Sequence, residues 1–220
     1  MVNSKTWATC NVPFEMVSFL TNRRVPNLRK ARLLAVALCR IYWRRLPVAE
    51  CRRLVETVEE YVEGEMGWAD VCWARERAHE AYDQRFGTKP PTGSPSRLAL
   101  LQATLQCSAQ NPREVFSTYV PLLPPPQFFR AEDAHTCELI RCVCDNPFRK
   151  IKFDPAWRTS DAVALARAMY DSRNFGAMPI LADALQDAGC DSPDVLTHCR
   201  DANQVHVRGC WVCDLVLGKE

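Results

Sequence analysis

Apolar residues recur at every third or fourth position along most of this chain, and that period predicts helices almost throughout. Near the start, Pro13 to Leu20 fits a short helix. Asn27 is placed to cap a longer one from about Leu28 to Arg45, with Ala31, Leu34, Ala35, Leu38, Ile41 and Tyr42 on one face. Pro47 ends that run or starts the next. A second helix reaches about Glu63 and turns Leu54, Val55, Val58 and Tyr61 inward, with Gly64 just past its end. A third runs from Trp68 to Arg85. A middle helix is expected over Ser96 to Ser108, with a turn at Pro112 to Phe116.

The later part of the chain is punctuated more sharply. Ala131 to Cys144 keeps the helical period until Asp145-Asn146-Pro147 breaks it. Lys150 to Phe153 alternates, but no second run could pair with it, so an extended connector is expected rather than a sheet. Thr159 or Ser160 then caps a helix through Ser172, with Asp161 favourably placed against the dipole of its first turn. Pro179 opens the next helix and Gly189 closes it. Ser192-Pro193-Asp194 repeats the start signal for a short helix to Cys199, and Cys210 to Leu217 forms a last one.

The expected fold is therefore all-α: an irregular multi-helix bundle of two helical blocks joined by Pro-rich linkers, with no substantial sheet. The linkers are Lys89 to Pro95 and Pro121 to Pro126. They divide the chain into an N-terminal block, 1–88, a linker and short middle helix, 89–130, and a C-terminal module, 131–220.

Composition narrows this picture only a little. With 47% hydrophobic and 25% charged residues and a net charge of +2, the chain has no global pull toward nucleic acid or membrane. Met1 to Pro13 has neither a basic nor an apolar leader segment, and the longest apolar run, Leu33 to Leu38, is far short of a membrane span, so a cytoplasmic protein is expected. Twelve cysteines are many. In a reducing compartment they are expected as buried free thiols rather than as a disulfide framework.

A set of short motifs marks the C-terminal module. Asn146-Pro147-Phe148, Phe153-Asp154-Pro155-Ala156-Trp157, Ala164-Leu165-Ala166, Tyr170-Asp171, Pro179 to Leu185, Asp187 to Asp191, His198-Cys199-Arg200 and His206-Val207-Arg208-Gly209-Cys210-Trp211 follow in order. This succession resembles an uncharacterised, paralogue-rich family of bacterial proteins, and Trp7 to about Glu63 looks similar to the start of the same proteins. The resemblance implies a shared fold and no particular activity.

Three constellations could carry chemistry. Cys210 and Cys213 have the two-residue spacing of a zinc knuckle, and His198, Cys199 and His206 lie nearby, so these five are the candidate metal ligands. Against zinc, the Cys210–Cys213 pair sits in an apolar helix rather than a tight turn, which favours structural thiols and no cofactor. Cys137, Cys142 and Cys144 invite the same reading more weakly. Asp183, Asp187, His206, Arg208 and Asp214 form a candidate structural polar cluster, in which Asp214, isolated in an apolar helix, needs Arg208 or His206 as partner. Finally, residues 23–53 hold ten basic residues against Glu50 alone, a local net of +9. Arg29, Arg32, Arg40, Arg44 and Arg45 could offer a basic contact surface for nucleic acid, or be neutralised by the acidic helix that follows.

His79 and His135 stand alone. There is no G-x-S-x-G elbow, no phosphate loop and no H-E-x-x-H, so no catalytic residue is nominated. The expected role is a non-enzymatic module that binds another protein. The alternatives are a nucleic-acid-associated regulator using the basic stretch and a small zinc-binding module using the C-terminal Cys and His residues.

Overall fold

A computed structural model describes residues 2–23, 27–87, 101, 104–105, 107–111 and 131–219. Among them every regular element is a helix. The order is α1 (Pro13–Arg23), α2 (Leu28–Ile41), a 3-10 turn (Trp43–Arg45), α3 (Ala49–Glu63), α4 (Trp68–Phe86), α5 (Ala131–Cys144), a 3-10 turn (Pro155–Trp157), α6 (Ser160–Ser172), α7 (Met178–Asp187), α8 (Pro193–Arg200) and α9 (Trp211–Leu217). The helix expected to reach Arg45 unwinds after Ile41 into the 3-10 turn. Leu101, Thr104, Leu105 and Cys107 are helical, but both Pro-rich linkers and the turn at 112–116 lie outside the described residues. No described helix is long and apolar enough to cross a membrane.

The chain forms two compact units. One comprises residues 1–2 and 9–137, the other residues 3–8 and 138–220. The second therefore recruits Asn3–Ala8 from the far end of the sequence. Arg141 holds that segment through Nε and Nη2, both donating to the Trp7 carbonyl at 3.2 Å, while the Trp7 side chain is buried.

In the first unit α3 packs on both α2 and α4. Basic α2 and acidic α3 neutralise each other: Arg29 meets Glu63 at 3.0 Å and Arg40 meets the buried Glu59. Arg32 is itself buried, lying over the rings of Tyr61 and Trp68 at 5.1 and 5.3 Å and donating to the Ala109 carbonyl. Three of the five arginines expected to offer a contact surface are thus engaged inside the unit, because their helix faces the acidic one. Arg44 and Arg45 stay exposed on the 3-10 turn.

Cys39, Cys51 and Cys107 are buried in the same unit. Burial pushes the Cys39 thiol up to about 12 and the Cys51 thiol up to about 11, despite hydrogen bonds with Thr104 that pull both down. The unfolded chain releases these protons near 9.0, whereas the folded chain keeps them until about 11 and 12, so stability falls as pH rises through that window. The expected slope is about 1.4 kcal/mol per pH unit for each thiol. Urea titrations stepped upward from neutral pH check this: Cys39→Ala flattens the alkaline loss, and an unchanged slope contradicts it.

The second unit is built on α6, which packs against α7 and α9, while α8 packs on α7 and touches α9. Thr159 caps α6 by accepting from the Ala162 amide at 3.3 Å. The exit from α7 needs a left-handed residue, and Gly189 supplies it at φ +89°, letting the Cys190 amide bond back to the Leu185 carbonyl at 2.9 Å. Lys150–Phe153 has no regular structure, as expected for a lone extended connector, and Phe153 meets Trp157 edge to face. The core of this unit gathers Met169, Tyr170, Leu181, Leu185, Val212 and five cysteines, 142, 190, 199, 210 and 213.

Candidate metal centre

Four side chains from four places in the second unit converge. Cys142 sits in the last turn of α5, His198 in the last turn of α8, His206 in the loop that follows, and Cys210 at the N-cap of α9. Their donor atoms, two Sγ and two ring nitrogens, all lie within 4.8 Å of one another. His198 Nε2 is 3.3 Å from Cys210 Sγ, and His206 Nδ1 is 3.8 Å from it. Among the described residues this is the group of His, Cys, Asp or Glu side chains able to converge on one ion.

Local structure explains the approach. Asp145, at φ +54°, ends α5, and Asn146 accepts from the Phe148 amide at 3.1 Å, so the Asn-Pro-Phe turn fixes where the Cys142 turn stops. Arg149 then bonds Asp145 at 2.7 Å and Asp194 at the start of α8, and lies 5.5 Å over the Trp211 ring. Trp211 in turn packs on the His198 ring at 4.9 Å. His206 stands edge-on to His198 at 4.9 Å and stacks on Phe175. Asn146, His198, His206, Cys210 and Trp211, all from the motifs noted in the sequence, thus contribute to this group or its frame.

The donor set suits zinc. Tetrahedral zinc with Zn–S near 2.3 Å and Zn–N near 2.05 Å requires donors roughly 3.3–3.8 Å apart. The two separations above match that range, and all the others are within 4.8 Å. Two thiolates would also cancel the charge of a divalent ion, which matters because Cys142 and Cys210 are both 0% exposed. Burial alone would push the Cys210 thiol up, but hydrogen bonds from Cys142 and Cys213 and the adjoining His198 outweigh it and hold Cys210 well below the usual range. Oxygen-seeking calcium and magnesium have no carboxylate here to bind.

The convergent group differs from the candidate set read from sequence: it holds His198, His206 and Cys210, brings in Cys142, and leaves out Cys199 and Cys213. Cys199 follows His198 by one residue, a rotation of about 100° around a helix, so it turns into the core instead. There burial raises its thiol. Cys213 lies one turn beyond Cys210, against Met178 Sδ at 3.5 Å, and its hydrogen bond to Cys210 together with burial keeps it protonated. Cys137 belongs to the other unit.

Within the polar cluster, Asp214 is buried, and the Tyr170 hydroxyl donates to it, a residue that the sequence reading did not place in the cluster. Arg208 donates to main-chain carbonyls, Tyr170 at 2.6 Å through Nε and Asp171 at 3.5 Å through Nη2. Asp183 and Asp187 are exposed on the outer face of α7, opposite Leu181 and Leu185, and Asp183 pairs with Arg200 at 2.7 Å. They stand apart from Asp214.

Compared with known proteins, the chain matches no family model, no curated protein and no solved structure.

Proposed function

We propose that the second unit is a zinc-stapled structural module and that the protein serves as a non-catalytic binding module. The observation that carries this reading is the closed Cys142, His198, His206, Cys210 set. Four protein donors fill a tetrahedral ion and leave no position for water or substrate, which is the arrangement of structural rather than catalytic zinc. The staple would hold the end of α5 against the two short helices α8 and α9. Mutual neutralisation of α2 and α3 supports reading the basic stretch as architecture, which lowers the weight of the nucleic-acid alternative. Another protein remains the partner class this reading favours.

Elemental analysis of untagged protein tests it. One zinc per chain is expected, falling to near zero in Cys142→Ser and His198→Ala. Cobalt substitution should give the intense visible bands of a tetrahedral thiolate site. Wild-type protein that holds no zinc and takes up no cobalt after refolding in its presence would sink the reading.

A further inference from the structure

Only Val207, Arg208 and Gly209 separate the two donors His206 and Cys210, and α6 holds this short loop chiefly through Tyr170. Gly209, at φ +90°, points its amide at the Tyr170 hydroxyl oxygen, 2.8 Å away. The Arg208 guanidinium closes on the Tyr170 carbonyl at 2.6 Å. Tyr170 then passes its own proton donor on to the Asp214 carboxylate, one helical turn beyond Cys210, and the Asp214 amide bonds back to the Cys210 carbonyl at 2.9 Å. The result is a closed ring of contacts, Cys210–Gly209–Tyr170–Asp214–Cys210, with the metal donor at one corner.

We infer that Tyr170 and Asp214 are positioning residues for the metal, holding Cys210 Sγ where it meets Cys142 and the two imidazoles; this rests on the zinc reading above. Core packing alone does not account for the pair. Tyr170 and Asp214 are only 3% and 2% exposed, and a phenylalanine and a leucine would fill similar space without burying a hydroxyl and a carboxylate. What the polar atoms add is a link between α6, the ligand loop and α9. Lys219 adds to the surroundings, its amide bonding the Asp214 carbonyl at 2.8 Å and its ammonium lying 5.0 Å over the Tyr170 ring. Groups that orient a metal ligand from behind usually change affinity by about 10–100-fold when removed.

Two variants of the full chain separate positioning from stability. Tyr170→Phe keeps the ring and removes the link, whereas Tyr170→Phe with Asp214→Leu replaces both polar partners by apolar groups, which restores much of any lost stability. Cobalt and zinc affinities are measured by competition with a chromophoric chelator, and stability by urea unfolding of the metal-free chain. The expected result is weaker binding in both variants, by about 10–100-fold, with an altered cobalt spectrum, even where the double variant recovers the stability of the wild type. If affinity recovers together with stability, or never falls, the inference is overturned and the pair is only packing. A wild-type chain that binds neither ion overturns the zinc reading itself, and this inference with it.

Discussion

If the second unit binds zinc as proposed, a chelator should lower its melting temperature by on the order of 20 °C. The size follows from linkage: a ligand present at about 1,000 times its dissociation constant stabilises the folded form by about 4 kcal/mol. For a unit of this size each kcal/mol shifts melting by about 4–8 °C. The effect should be large because the elements it joins are weak alone. α8 has eight residues and α9 seven, too short to persist as isolated helices. Hydrogen exchange read at the amides of α6 to α9, with and without chelator, localises the loss. Equal protection in both conditions would show that the four donors hold no stabilising ion.

Replacing Trp211 by alanine should destabilise the second unit by about 3–5 kcal/mol, the usual cost of removing a large aromatic from a packed interior. Trp211 is 5% exposed, and its ring packs on both the Arg149 guanidinium and the His198 imidazole, so its loss opens a cavity beside the convergent donors. Trp211→Phe should cost much less. Urea denaturation of the metal-free chain measures both, and a Trp211→Ala midpoint close to that of the wild type would refute the assignment of this ring to the core.

Helix positions were legible in the sequence because their signals are local. Asn27 caps α2 by accepting from the Lys30 amide, Thr159 caps α6, and Gly64 and Gly189 take the left-handed turns that end α3 and release the chain after α7. The metal centre was only half legible. His198, His206 and Cys210 lie within thirteen residues of one another, so spacing exposed them. Cys142 comes from a helix end far upstream, and only tertiary packing brings it near. Periodicity could have excluded Cys199, which cannot share a helical face with His198. Nothing local could have paired Tyr170 with Asp214, since an aromatic at helical spacing reads as core and its hydroxyl gives no pattern. The recruitment of Asn3–Ala8 into the second unit is equally silent, for it depends on the Arg141 fork reaching the Trp7 carbonyl.

With zinc bound, the uneven spread of the donors along the chain would favour an order of assembly. An ion can first be captured by His198, His206 and Cys210, whose mutual approach closes only small loops. Bringing in Cys142 closes the long loop from residue 142 to residue 198, at an entropic cost of about 3–4 kcal/mol. On the zinc reading, the last bond to form would therefore be the one that locks the end of α5 onto a half-built site.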